Sequence, residues 1–284
     1  SVIAELLEKG SYIFVVIGLP MLAGYLLRRY MLRGGSDVGS VCRVWSRRLK
    51  LICIGVLVPP VAVTAMIRQP LAGDAVLAMG GLGVACLLVG ALLGRLYISL
   101  RRMPAAEAGA FLGCAAMANL VSIGGLIVFA FWGNDGLQQL YLFKLLEHVL
   151  YYGVFYPWCS TYSPDLRPGR TGIIASFRQQ PVTLVPIIAV VVGLVCNYLL
   201  YHRPDPPSGP PAWTQSFNYV LVPLHVGLLT FAVGLSLSPS RIGKYVSHCV
   251  AISTIKFILR PAIAAGLAYG CMRAGWIDGL AFRV

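Results

Sequence analysis

The sequence predicts an all-α polytopic membrane protein, and three observations lead to that fold class. Hydrophobic residues make up 58% of the 284 residues, charged residues only 12%, and the mean hydropathy is +0.77. A soluble domain carries about twice that charged fraction. Apolar runs recur along the whole chain, each near the roughly 20 residues that a helix needs to cross a bilayer. The runs are continuous rather than alternating, which argues against a closed barrel of strands.

Eight apolar runs are predicted to be membrane-spanning helices. They cover approximately residues 11–30, 48–67, 75–98, 107–132, 137–160, 181–201, 217–238 and 246–272. The Lys and Arg residues alternate between the links, with 15 on one side and 5 on the other, while three lie inside spans. The chain is predicted to be a multi-pass protein of the plasma membrane. Because cytoplasmic links carry the excess of Lys and Arg, its N-terminus is predicted to lie on the outer side.

Several function classes are disfavoured by the sequence. The net charge of +13 lies mostly in links between apolar runs, where it controls topology, so nucleic acid is not an expected partner. The eight cysteines are scattered singly without metal-ligand spacing. The sequence holds no G-x-S-x-G, P-loop or H-E-x-x-H motif, so neither an enzyme, a metal site nor a cofactor is expected.

Short internal similarities predict a repeat. VLVPP at residues 56–60 matches VLVPL at 220–224, and VVIGLPMLAGYLL at 15–27 matches VVVGLVCNYLL at 190–200. These matches give a period of five spans, and an odd number of spans inverts the second copy in the membrane. Inverted repeats are typical of secondary transporters. The predicted domains are a five-helix repeat over residues 1–160 and an incomplete second repeat over residues 181–284.

The repeat also predicts where the second copy continues. Equivalent positions in the two copies are about 164 residues apart for spans 2 and 7 and about 170 apart for spans 3 and 8. Applied to Asn119 in the fourth span, the larger offset places a partner near residue 290, beyond the last residue, Val284. We therefore expect the chain to be a fragment of a ten-span protein, with most of spans 9 and 10 missing from the fragment. The alternative is a complete protein of eight spans.

Several stretches resemble one family of membrane carriers. They are GYLLRRYML, SRRLKLICIGVLVPPVAVTAM, ANLVSIGGLIVFAFWGNDGLQQLYLFKLLEHVLYYGVFYP, QQPVTLVPIIAVVVGL, VPLHVGLLTFAVGLSLS and IKFILRPAIAAGL. Together they resemble spans 1, 2 and 4 to 8 of the auxin efflux carrier family, over nearly the whole chain. The resemblance implies a ten-helix fold in which broken helices 4 and 9 cross, as in bile-acid and sodium–proton carriers. It also implies transport of organic anions.

The sequence departs from that family at the break in span 4. The proline usual there is absent, and Ser122-Ile123-Gly124-Gly125 stands in its place. Span 9, which should carry the second break, does not fall within the sequence. The first departure bears on how sharply span 4 breaks, and the second on whether this chain is active.

A polar, glycine-containing stretch in span 4 is the predicted substrate site. Asn119 and Ser122 are three residues apart and share a helix face, and Gly124 and Gly125 weaken the helix just beyond. A break there would turn free backbone N–H groups and a positive half-helix end towards an anion. The alternative is close helix packing, since small residues also line ordinary contacts between membrane helices.

Two cations in span 8 are predicted to contribute to the same anion site. Lys256 and Arg260 lie four residues apart near mid-span, where each charge costs about 2.5–3.5 kcal/mol. The alternative is a structural role in which backbone carbonyls satisfy them. With Lys144 and Glu147 in span 5 the fixed charge inside the spans is +2, which favours anions electrostatically.

Span 5 and span 7 hold the candidates for proton coupling. Lys144 and Glu147 are spaced to form an ion pair within one helix, which is the simpler interpretation. If transport is coupled to protons, Glu147 or His148 would carry the proton. His225, close to Pro223, is a weaker candidate and is expected to be a hydrogen-bonded packing residue. Pro20, Pro59, Pro60 and Pro223 are expected to form packing kinks, with hinges as the alternative, and a bend is expected at Pro261.

We therefore expect a permease that exports a small organic anion, a carboxylate, by alternating access. The expected partners are that anion and the lipid bilayer. H⁺ or Na⁺ coupling and a homodimer are left open. Two alternatives remain, a bile-acid-type sodium symporter and a receptor or scaffold that keeps the fold without transport.

Overall fold

The computed structural model describes residues 2–32, 38–68, 70–71, 73–117, 123–162, 181–205, 207, 209 and 211–273, and within these ranges regular structure is helical. The α-helices are α1 Val2–Leu32, α2 Val38–Ile52, α3 Val58–Met66, α4 Gly73–Arg101, α5 Ala105–Ala116, α6 Gly125–Leu150, α7 Tyr156–Ser160, α8 Val185–Tyr201, α9 Ala212–Ser236, α10 Pro239–Thr254 and α11 Arg260–Arg273. Residues Pro181–Leu184 form a 3-10 turn.

Within the described ranges, five helical segments are long and apolar enough to cross a membrane. They are Ala4–Leu32, Gly39–Met66, Val76–Arg101, Ala212–Ser236 and Tyr245–Leu267, and they overlap predicted spans 1, 2, 3, 7 and 8. Two shorter apolar helices, Glu107–Ala116 and Val185–Tyr201, fall in predicted spans 4 and 6. The all-α membrane class is confirmed at this level, while the count of eight spans stays a prediction.

The outer surfaces of these helices are those of a protein that meets lipid. Phe14 in the middle of α1 is 72% exposed, and Leu92 in the middle of α4 is 71% exposed. In water such large apolar side chains, repeated along several helices, would form a patch that drives association. In hydrocarbon the same exposure carries no penalty, because lipid tails are as apolar as leucine.

The chain divides into two compact units, each built from three stretches. The first unit comprises Ser1–Pro70, Asn119–Tyr141 and Ile188–Pro239, and the second comprises Leu71–Ala118, Leu142–Ile187 and Ser240–Val284. Helix α6 passes from the first unit into the second. Each unit therefore combines early and late parts of the sequence.

Close packing of α1 against α9 dominates the first unit. A Cβ atom on Gly24 would collide with the carbonyl oxygen of Phe231 and lie 3.0 Å from the backbone nitrogen of Leu235. A Cβ atom on Gly234 would collide with the carbonyl oxygen of Met21. Glycine at these two positions lets the two backbones touch, which is how membrane helices gain contact without a hydrophobic driving force.

In the second unit, one face of α4 carries glycines that admit two neighbouring helices. A Cβ atom on Gly80 would lie 2.8 Å from the side chain of Leu146 in α6. A Cβ atom on Gly90 would lie 2.6 Å from the carbonyl oxygen of Ala115 in α5. The unit's core forms around α4, α5 and the segments that follow α6 and α10, with Leu87, Leu112, Tyr151 and Ile255 among its buried residues.

Three wide helical turns each end two residues before a proline. They are Cys53–Leu57 before Pro59, Tyr151–Phe155 before Pro157, and Ile255–Leu259 before Pro261. In each, the residue preceding the proline donates its N–H to the carbonyl five residues back, as Val58 does to Cys53. Because proline has no N–H and its ring crowds the carbonyl four residues back, a π-type turn relieves the clash.

Candidate functional site

The helix of predicted span 4 is interrupted next to the polar stretch. Helix α5 ends at Ala116, and Met117 is extended, with φ −85° and ψ 128°. The N–H of Met117 still bonds to the carbonyl of Gly113 at 3.1 Å. Asn119 and Ser122 lie outside the described residues, so their placement is not described.

The two glycines of the predicted site begin the next helix. Gly124 lies in a helical turn and Gly125 is the first residue of α6. The helical turn at residues 123–124 therefore runs directly into α6. Gly133 departs from helical geometry with φ 61° and ψ −146°, between predicted spans 4 and 5.

Arg260 reaches the end of the interrupted helix. Its Nη1 donates to the carbonyl oxygen of Ala116 at 3.0 Å, and the side chain is 5% exposed. Gly90 makes room for it, because a Cβ atom there would lie 3.2 Å from Arg260 Cδ. A helix that ends inside a bilayer leaves carbonyls that water cannot satisfy, and a cation offsets the negative end of the dipole.

A buried ion cluster continues from Arg260 into α6. Lys144 Nζ and Glu147 Oε2 form an ion pair, with side chains 2% and 1% exposed. Glu147 Oε1 lies 3.9 Å from Arg260 Nη2. The predicted pair between Lys144 and Glu147 is therefore confirmed, and a third charge from another helix joins it.

The cluster carries an excess of positive charge. Among the described residues, Glu147 is the one carboxylate paired with the buried Lys144 and Arg260, and Lys256 lies half-buried one helical turn before Arg260. Two cations on one anion leave one positive charge unbalanced, and Lys256 adds another. A site of this sign attracts an anion by electrostatics alone.

The two histidine candidates differ in their surroundings. His148 Nδ1 lies 2.8 Å from the carbonyl oxygen of Lys144, so one ring nitrogen is engaged by its own helix. His225, in the first unit, is 5% exposed, and within the described part of the chain neither ring nitrogen has a hydrogen-bond partner. The expected hydrogen bond to the His225 ring is therefore not found there.

A buried amide network in the first unit was not predicted from the sequence. Asn218 Nδ2 donates to Asn134 Oδ1 at 2.7 Å, and Thr64 Oγ1 lies 2.8 Å from Asn218 Oδ1. All three side chains are at most 4% exposed. They come from α3, α6 and α9, so no local spacing could have indicated that they meet.

The same unit satisfies the end of α3 with side chains. Gln138 Nε2 donates to the carbonyl oxygen of Met66 at 3.0 Å, and Asn197 Nδ2 donates to the same oxygen at 2.8 Å. The hydroxyl of Tyr201 donates to the carbonyl oxygen of Arg68 at 2.9 Å. These bonds serve the terminal carbonyls of a helix, which makes them structural contacts.

Comparison with known proteins does not place this chain in a family. No protein-family model matches it, and neither curated proteins nor solved structures give a match.

Proposed function

We propose that this chain is a secondary transporter of the auxin efflux carrier type that exports a small organic anion by alternating access. The observation that carries the proposal is the bond from Arg260 to Ala116. It brings the buried cluster to the end of an interrupted helix, three residues before Asn119. A helix break with polar residues and a net positive charge nearby is the kind of site that transporters use for anions.

The charges give the cluster a role in binding and release. Glu147 is the resident anion for Lys144 and lies within 3.9 Å of Arg260. A substrate carboxylate can offset the positive charge that Glu147 leaves unbalanced. If transport is coupled to protons, protonation of Glu147 removes the competing negative charge and strengthens the attraction for the substrate.

The make-up of the two units supports the inverted repeat. The repeat relates spans 1, 2 and 3 to spans 6, 7 and 8. The first unit contains spans 1, 2 and 7 and residues 188–201 of span 6, while the second contains spans 3 and 8. Each pair that the repeat relates thus falls within one unit. This grouping is expected if both copies contribute the same elements to each unit.

Two contacts in the first unit follow the same symmetry. A Cβ atom on Gly227 of span 7 would lie 3.7 Å from Pro20 of span 1, and one on Gly193 of span 6 would lie 3.2 Å from Val63 of span 2. An offset of about 164 residues relates Val63 to Gly227, as it relates Pro59 to Pro223. The contact between spans 1 and 7 and the contact between spans 6 and 2 therefore involve corresponding parts of the two copies. This correspondence supports the repeat.

The test is anion flux in proteoliposomes that contain the protein. Counterflow of radiolabelled carboxylates is measured under imposed pH and Na⁺ gradients, with folding checked by monodispersity. Lys256→Ala and Asn119→Ala should each lower the flux at least about tenfold, since each removes a predicted anion contact worth over about 1.4 kcal/mol. Arg273→Ala, an exposed cation farther along the same segment, is the matched control and should transport normally.

A receptor or scaffold without transport is the second candidate, and one observation favours it. Arg260 already donates to a backbone carbonyl, which is how a purely structural cation is satisfied. A folded protein that moves no carboxylate under any gradient would reject the transporter and favour this candidate. Flux that depends on Na⁺ and not on pH would favour a sodium symporter of the bile-acid type.

A further inference from the structure

Helix α2 is held in a defined rotation by its buried face. Cys42, Ser46 and Cys53 are each at most 2% exposed. Ser46 Oγ donates to the carbonyl oxygen of Ala232 on α9 at 2.6 Å, and Cys53 Sγ lies 3.8 Å from the carbonyl oxygen of His225 on the same helix. These contacts determine which α2 side chains point away from the protein.

Three cations lie along one side of α2, beside the face that makes those contacts. Arg43, Arg47 and Lys50 are spaced by four and three residues, so they form a row along the helix. Arg43 and Arg47 are exposed and Lys50 is half-buried. Helix α2 contains no acidic residue. Among the described residues, none of the three cations forms an ion pair with a carboxylate.

The row lies at the depth of lipid headgroups. After Lys50 the chain carries no charge until Arg68, and the 17 residues between them are helical nearly throughout. At 1.5 Å per residue they span about 25 Å, close to the roughly 30 Å thickness of the hydrocarbon core. Lys50 therefore sits at the edge of the core, with Arg47 about 4.5 Å and Arg43 about 10 Å farther out.

Apolar surface continues from the cations into the membrane. Leu51, four residues after Arg47, is 42% exposed, and Val44 between the two arginines is 49% exposed. On an adjoining face, Trp45 is 54% exposed, with the Arg48 guanidinium 5.9 Å from its ring centroid. Exposed Trp and Arg together mark the interface between headgroups and hydrocarbon.

We propose that Arg43, Arg47 and Lys50 form a binding site for an anionic phospholipid, whose acyl chain lies against Leu51. The headgroup phosphate meets a row of cations that pair with no carboxylate of the described residues, and the acyl chain follows the apolar surface one turn deeper. Basic clusters next to a membrane span attract anionic lipids in this way. The site shares no residue with the ion cluster and does not depend on the transport function.

A local fluorescence measurement tests the site. The five tryptophans, at positions 45, 132, 158, 213 and 276, are replaced by phenylalanine, and Leu51→Trp supplies a single reporter. The protein is placed in vesicles of phosphatidylcholine with increasing phosphatidylserine, and one lipid at a time carries brominated, quenching chains. Phosphatidylserine should bind beside the reporter about tenfold more tightly than phosphatidylcholine, and the preference should fall with added salt.

The controls separate this site from general attraction. The triple variant Arg43→Gln, Arg47→Gln, Lys50→Gln should bring the preference close to one, whereas Arg203→Gln should leave it unchanged. A reporter at Val220→Trp, 64% exposed on a helix without Lys or Arg, should show no preference in the parent protein. Equal binding of both lipids at Leu51→Trp, or a preference that survives the triple variant, overturns the proposal.

A second measurement avoids the tryptophan replacements. Native mass spectrometry of the otherwise unaltered chain in mixed micelles should show retained phosphatidylserine, and the triple variant should retain at least one molecule fewer. Inorganic phosphate at equal ionic strength should leave retention unchanged, because the acyl chain contributes to binding. Equal retention by parent and triple variant contradicts the site.

Discussion

Arg260 Nη1 donates to the carbonyl oxygen of Ala116 over 3.0 Å, joining residues that are 144 positions apart. The bond links the first residue of α11 to the last residue of α5. Because α5 ends there, the carbonyl has no donor from its own helix. A single side chain thus both stabilises the end of an interrupted helix and brings positive charge beside Glu147.

Arg260→Met should destabilise the protein by about 1.5–3 kcal/mol, since the Ala116 carbonyl loses a charged donor in a place without water. Thermal unfolding in detergent, followed by monodispersity, measures the loss. Arg260→Lys should recover part of it, because the charge remains but the reach and geometry differ. Arg273→Met removes an exposed cation and should leave the midpoint unchanged. An unaltered midpoint for Arg260→Met would show that the bond contributes nothing to stability.

The Lys144–Glu147 pair should show strong coupling in a double-mutant cycle. Glu147→Gln leaves two buried cations without an anion, and Lys144→Met leaves the carboxylate with Arg260 alone at 3.9 Å. Each single variant should lose about 3–5 kcal/mol, and the double variant should lose about 1–3 kcal/mol less than their sum. The more accessible pair Glu5–Lys9, with Lys9 25% and Glu5 63% exposed, gives the control, and its cycle should show much weaker coupling. Additive losses for the buried pair would contradict the prediction.

Gly24→Ala should disrupt the packing of α1 on α9, whereas Gly10→Ala on the same helix should not. The added methyl collides with the Phe231 carbonyl at Gly24, but meets nothing within 4 Å at Gly10. Overpacking against backbone costs about 1–3 kcal/mol or more, while alanine at an open helix position gains up to about 1 kcal/mol. The yield of monodisperse protein and its unfolding midpoint compare the two. Equal behaviour would mean that the helices do not touch at Gly24.

Asn218→Leu should cost about 1–3 kcal/mol, because Asn134 loses its donor while remaining buried. Replacing both amides, by Asn134→Leu with Asn218→Leu, should recover most of the loss, since no polar group is then left without its partner. Gln215→Leu changes an exposed amide on the same helix and should be neutral. Unfolding midpoints in detergent rank the four proteins. A double variant less stable than Asn218→Leu would argue against this pairing.

The sequence predicted those features that depend on neighbouring residues. Apolar runs of sufficient length indicated the helices now seen at spans 1, 2, 3, 7 and 8. The three-residue spacing predicted the pair between Lys144 and Glu147. Both predictions rest on the regular geometry of a helix, in which composition and spacing determine what lies on each face.

Contacts between distant segments could not be predicted in the same way. Nothing near Asn134 or Asn218 indicates that their amides meet, and nothing near Arg260 identifies its acceptor. These contacts depend on how far each helix slides and rotates against its neighbours, which close packing at glycines such as Gly24 decides. Asn119 and Ser122, outside the described residues, remain predictions from the sequence.

The sequence by itself determined that this chain is a helical membrane protein, because apolar length and scarce charge leave a chain no other stable arrangement in a bilayer. It also determined that the charge buried within the spans is positive. Only the tertiary structure decided that Arg260 and Glu147 approach each other and that Arg260 donates to the Ala116 carbonyl. A buried charge is stabilised by whichever partner the packing brings within a few ångströms, and that distance is a property of the whole fold.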